Sequence, residues 1–225
     1  MQRNISRTLG PRPGGRPIIS SKLTGLTIAT LLGLASTEAA VAQSRSLQAA
    51  ISSAIQSAGQ AGPTPAWIAF CQQTPHECTT DASEPEVITL SQDSWDLITR
   101  VNEQVNRTIL PVTDQEHWGV LDRWDYPDDG MGDCEDIQLL KRKRLIEAGL
   151  PRRVLRMTVV VDEQSEGHAV LMVRTDRGDF ILDNKRNTVL AWQETGYRFV
   201  NQEGAHGREW VWLGDQTAPV VTANR

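Results

Sequence analysis

The sequence predicts an α+β domain in which helices come first and an antiparallel sheet then packs on a central, cysteine-bearing helix. Three observations predict it. Ser91 to Leu110 places Trp95, Ile98, Val101, Val105 and Ile109 at spacings of three or four, the signature of an amphipathic helix, with Ser91 or Asp93 as its cap. Asp133 to Gly149 reads as a second helix. Asp133 is a good N-cap with Asp136 three residues on in a capping-box-like arrangement, and Gly149 followed by Pro151 is a stop signal. Cys134, Ile137, Leu140, Leu145 and Ala148 share one face while Leu139, Ile146 and Leu150 lie opposite, which predicts a buried helix. Finally, Leu155–Val161, His168–Thr175, Asp179–Asp183, Val189–Trp192, Tyr197–Val200 and Trp210–Leu213 read as strands, with Asp176-Arg177-Gly178 as a hairpin turn.

At 225 residues the chain suggests one domain plus a separate N-terminal segment. Residues 1–22 carry Arg3, Arg7, Arg12, Arg16 and Lys22 and no acid. An apolar run from Leu23 to Ala35 follows, then small residues ending in Ala40-Val41-Ala42. This is the grammar of a signal peptide with an A-x-A cleavage site, so residues 1–42 are expected to be removed on export. The apolar run of 13 residues is too short to span a bilayer. Residues 43–65, rich in Ser, Ala, Gln and Gly, read as a flexible lead-in, and the folded domain is expected over 66–225. Without residues 1–42, 18 basic and 27 acidic residues leave a net charge of −9, which makes a poor nucleic-acid binder and leaves room for a hard cation.

The three cysteines divide two and one. Cys71 and Cys78 bracket Pro75 and, in an exported chain, are expected to close a short disulfide loop. A zinc site from these two and His76 lacks a fourth well-spaced ligand. Cys134 is then the odd thiol, and it stands in the first turn of the second helix. There unpaired N–H groups and the macrodipole favour a thiolate.

The hairpin supplies partners. Closing it with Thr175 opposite Gly178 sets Val170 against Asp183, so His168 and Asp183 become diagonal neighbours on one face. Such neighbours lie about 7–8 Å apart at Cα, within reach of an imidazole–carboxylate hydrogen bond. Chemistry then assigns roles. His168 takes or holds the Cys134 proton, Asp183 orients the ring, and the N–H of Cys134 offers one oxyanion donor. The second donor is not identifiable, a loop residue such as Trp118 being one candidate. Cysteine on a helix start, then His and Asp on a hairpin, is the layout of papain-like and transglutaminase-like thiol enzymes.

Asp133, Glu135 and Asp136, with Asp128 and Asp129 nearby, exceed what helix capping requires. Their repulsion opposes a thiolate at Cys134. A bound Ca²⁺ would relieve the conflict, and oxygen ligands suit calcium better than zinc, although the spacing is not that of an EF-hand.

Several segments together resemble a known family. They are Trp118-Gly119-Val120-Leu121-Asp122-Arg123-Trp124-Asp125-Tyr126-Pro127, Gly132-Asp133-Cys134-Glu135-Asp136, Lys141-Arg142, Ala148-Gly149-Leu150-Pro151, Gly167-His168-Ala169-Val170-Leu171 and Leu182-Asp183-Asn184. Over residues 65–203 this ordered set resembles the bacterial transglutaminase-like cysteine proteinases, whose best-known members are periplasmic LapG-type adhesin proteases. The resemblance implies a papain/transglutaminase-like fold and a periplasmic cysteine endopeptidase with the triad Cys134, His168 and Asp183. It implies Ca²⁺ held by Asp133, Glu135 and Asp136. It also implies a protein substrate, such as a surface adhesin or another exported protein whose cleavage disperses a biofilm, and an inner-membrane cyclic-di-GMP receptor as regulator. Two rival functions share these residues. One is acyl transfer from glutamine to an amine; the other is a calcium-dependent binding module in which Cys134 is only packed.

Overall fold

The computed structural model describes residues 53–213; the expected signal peptide (1–42) and residues 214–225 lie outside the described residues. In chain order come β1 (Gln60–Ala61), α1 (Pro65–Gln73), α2 (Gln92–Thr108), β2 (Leu110–Pro111), the single turn α3 (Asp114–His117), β3 (Met131–Gly132) and α4 (Cys134–Glu147). Strands β4 (Leu155–Val161), β5 (Gly167–Thr175), β6 (Gly178–Leu182), β7 (Leu190–Ala191), β8 (Arg198–Glu203) and β9 (Trp210–Trp212) complete it. The main sheet has the order β1-β9-β8-β4-β5-β6-β7, and every pairing in it is antiparallel. A separate parallel pair, β2 with β3, ties the end of α2 to the start of α4.

Each helix starts as its sequence dictates. Thr64 caps α1 by accepting from the N–H of Trp67, and Pro65 fills the first position, where no donor is needed. Ser91 and Ser94 form a reciprocal capping box at α2. Helix α4 ends in a Schellman motif: Leu150 N–H bonds the Leu145 carbonyl and Gly149 N–H bonds that of Ile146. Gly149 sits at φ +98°, the left-handed conformation that glycine supplies without a Cβ penalty.

The sheet carries apolar side chains on both faces, as its nearly continuous burial shows. Met157, Val159, Leu171, Val173, Phe180 and Leu182 join Ile137, Leu139 and Leu145 of α4 in the larger core, with Trp67, Trp124 and Trp210 packed edge-to-face. Val160, Val170, Met172, Ile181, Tyr197, Phe199 and Leu213 form a second core with Ile55. His168 and Asp183 belong by strand parity to this second face.

Several expectations need correction. Residues 53–65 are not a free lead-in: Ile55 is buried, its N–H donates to Asp179, and β1 pairs with β9. The capping box expected at α4 does not form, because Asp133 occupies the cap position without a side-chain cap bond. The stretch 114–131 holds α3 and β3 rather than loop alone. Ala148 is exposed, whereas Lys141 and Arg142 of α4 are buried. These two lie outside the apolar positions read from the sequence; ion pairs draw Arg142 inward. It bonds Glu203 at 2.7 Å and reaches Glu77 at 3.5 Å, while Glu77 also takes Arg152 at 2.8 Å. Glu77 lies inside a loop closed by a disulfide between Cys71 and Cys78, with Cα atoms 5.6 Å apart, which removes those thiols from any zinc site.

Candidate active site

The site is assembled where the start of α4 meets the first residues of β5. The hairpin register is Thr175 opposite Gly178 and Leu171 opposite Leu182, which carries Asp183 one residue past β6. His168 and Asp183 are thereby joined, Nε2 to Oδ1, at 2.8 Å. Asp183 is held from several directions. Its Oδ1 also accepts from the N–H of Lys185 at 2.9 Å, its own N–H donates to Oδ1 of Asn102 at 3.2 Å, and Oδ2 accepts from the Tyr197 hydroxyl at 2.5 Å. Burial works to raise its pKa, but the bonds from His168, Tyr197 and Lys185 and the charge of His168 outweigh it and hold the carboxyl down at about 2.

Cys134 is the first residue of α4. Its Sγ accepts from the N–H of Ala169, the neighbour of His168, at 3.4 Å and donates to Oε2 of Glu135 at 3.0 Å. The other imidazole nitrogen, Nδ1 of His168, is buried and makes no hydrogen bond. The ring is therefore anchored through Nε2, with Nδ1 left without a hydrogen bond. Cys134, His168 and Asp183 are 1%, 0% and 2% exposed.

Acids surround the cysteine. Ligand oxygens of Asp114, Asp133 and Asp136, and likewise of Asp114, Asp122 and Glu135, lie within 4.8 Å of one another; Asp133, Cys134 and Glu135 form a third such group. The three acids chosen from sequence thus belong to one basin that Asp114 and Asp122 complete. Sequence reasoning missed these two because they precede the cysteine helix by a polar loop; its surplus of acids was the available signal. The carboxylates are used as anchors. Asp133 accepts from the N–H of Asp114 at 3.3 Å, Asp136 accepts from that of Asp125 at 2.8 Å, and Asp114 accepts from that of Arg123. One oxygen each of Asp133, Glu135 and Asp136 is buried without a partner.

Burial and then mutual repulsion push these groups up: Asp114 to about 6, Asp133 to about 7, Asp136 to about 9, and Glu135 well above its ordinary value. Unpartnered, clustered, oxygen-only ligands in a dry site fit a hard cation. Trp118, the loop residue offered as a second oxyanion donor, has its ring stacked on His117 at 3.9 Å and covered by Arg123.

The family model of the bacterial transglutaminase-like cysteine proteinases matches residues 57–218. The chain belongs to that family and is a cysteine peptidase. Among solved structures it is similar to Legionella pneumophila LapG, with 26% identity over 54% of this chain and 69% of that one, at a TM-score of 0.45. Against the calcium-bound form of that protein the values are 27%, 56%, 71% and 0.46, and against the EGTA-treated form 25%, 56%, 70% and 0.46. No curated protein matches the chain.

Proposed function

We propose that this chain is a calcium-dependent endopeptidase of the periplasm that uses Cys134, His168 and Asp183 to cut an exported protein, with a surface adhesin as the foremost candidate. The observation that carries the triad is the 2.8 Å bond between His168 Nε2 and Asp183 Oδ1, which leaves Nδ1 for the thiol. The leader read in residues 1–42 supports export, and a disulfide suits an oxidising compartment.

The chemistry follows from the positions. His168 takes the proton of Cys134, and the thiolate attacks the scissile carbonyl while the N–H of Cys134 at the helix start stabilises the oxyanion. The imidazolium returns its proton to the departing amine, leaving a thioester. His168 then deprotonates the water that hydrolyses it, and the proton passes back to sulfur. Asp183 keeps the ring oriented throughout. Asp114, Asp122, Asp133, Glu135 and Asp136 would hold the cation, which supplies positive charge to offset carboxylates that otherwise oppose the thiolate. Regulation by an inner-membrane cyclic-di-GMP receptor belongs to the same proposal and rests on the sequence resemblance alone.

The test incubates the mature protein and its Cys134→Ala variant with surface-protein fractions of the source bacterium, with and without a chelator. A discrete product from the wild type alone, lost on chelation, is the expected result. Amine incorporation without clipping would replace hydrolysis by acyl transfer. Indistinguishable proteins in both assays would leave only a binding module.

A further inference from the structure

We propose that Tyr197 is a positioning residue of the triad, acting on both Asp183 and His168. The hydroxyl donates to Oδ2 of Asp183, the oxygen that His168 does not use, at 2.5 Å. The same ring stands edge-on to the imidazole, with centroids 5.8 Å apart and planes at 85°. One side chain therefore fixes the carboxylate's rotation and closes one side of the imidazole.

Tyr197 is itself held. Its N–H donates to the Thr195 hydroxyl at 3.1 Å, and the guanidinium of Arg186 lies over its ring at 5.2 Å. Burial and the Asp183 carboxylate keep the phenol far above its usual pKa, so it stays a donor at every working pH. The charged groups facing the pair are Lys141 from α4 and Arg186 from the segment after β6, the ammonium of Lys185 being turned to Asp162. None of them bonds Oδ2 at hydrogen-bond distance: Arg186 comes no nearer than 4.0 Å.

The electrostatic consequence has a definite sign. A donor on Oδ2 draws charge away from the Oδ1 that serves His168, which weakens the hold on an imidazolium. Removing only the hydroxyl returns that charge and favours the imidazolium.

This inference rests on the proposed triad but is tested without substrate. The His168 imidazole is titrated by NMR in the wild type, Tyr197→Phe and Phe199→Leu, with His168→Gln assigning the signal among the four histidines. Phe199 lines the same core and controls for lost packing. The expected result is an upward shift of the His168 midpoint by about half a unit or more in Tyr197→Phe, the size of a single polar contact to a charged group, and none in Phe199→Leu. An unchanged midpoint in Tyr197→Phe, or an equal shift in Phe199→Leu, overturns the inference. The protease reading fails on a different result, clipping that survives Cys134→Ala, so the two failures are distinguishable.

Discussion

The backbone N–H of Asp125 donates to Oδ1 of Asp136 at 2.8 Å, which fastens the loop before the cysteine to the first turn of the helix that carries it. The second oxygen of Asp136 is buried without a partner, so the same side chain anchors the loop and keeps one oxygen for the proposed cation. Asp136→Asn keeps the acceptor and removes the charge; Asp136→Ala removes both. Calcium titration by calorimetry should show weakened binding in both variants. Hydrogen exchange in residues 118–130 should rise in Asp136→Ala alone. Equal exchange in the two would mean the anchor does not hold the loop.

Without a cation the acidic basin makes stability fall as pH rises. Burial, then repulsion, raises Asp133 to about 7 and Asp136 to about 9, whereas the unfolded chain ionises its aspartates near pH 4. Between about pH 4 and 9 the unfolded state binds fewer protons, so the contribution of these groups is full below pH 4 and is lost upward through that window. Melting temperatures in EGTA should decline from pH 5 to 8, and excess calcium should abolish the decline. A flat profile in EGTA would contradict the raised values.

Lys141 works in the opposite sense. Burial holds it down to about 7, with Asp183 pulling it back up, and its Nζ makes no hydrogen bond. The unfolded lysine stays protonated to about pH 10, so stability from this group is absent below pH 7 and is gained as pH rises from there. Lys141→Met should therefore raise the melting temperature at pH 6 and lose that advantage towards pH 10. A destabilised variant at pH 6 would show that the ammonium has a stabilising partner.

Asp183→Asn tests the orienting role directly. The amide can present its N–H₂ to His168 and so select the wrong tautomer, while its neighbours keep their places. Activity on the clipped substrate should fall by about 10²-fold or more with little change in melting temperature. Wild-type kcat in this variant would exclude Asp183 from the triad.

Arg142 joins Glu203 and Glu77 in a buried network 1% exposed at its centre. Truncating it leaves the Glu203 carboxylate without its ion-pair partner in a dry site, while Glu77 keeps Arg152, so Arg142→Ala should cost about 3–5 kcal/mol in chemical denaturation. Arg142→Met with Glu203→Gln, which keeps volume and removes both charges, should recover most of that.

The legible parts of this protein were those written in local patterns. The Thr175–Gly178 turn sets the hairpin register, and alternation then puts His168 beside Asp183 with no further information. Ser91 at the head of α2 and Gly149 at the tail of α4 act through contacts a few residues away. What escaped notice depends on distant partners. Asp114 stands 19 residues before Asp133, and Glu203 lies 61 residues beyond Arg142, so neither pairing leaves a periodic trace. Asp133 was expected to cap its own helix, but the N–H of Asp114 competes for the carboxylate and takes it.

The loop closed by Cys71 and Cys78 has a reach well beyond its eight residues. Glu77, inside it, offers both its carbonyl and its carboxylate to Arg142 and Arg152, and Arg142 belongs to the helix that begins at Cys134. Cutting the sulfur–sulfur bond would free Glu77 from its tether and slacken the far end of the helix that carries Cys134. The order of the proposed site would in this way depend on the redox state of the surroundings, through a bond that takes no part in the proposed chemistry.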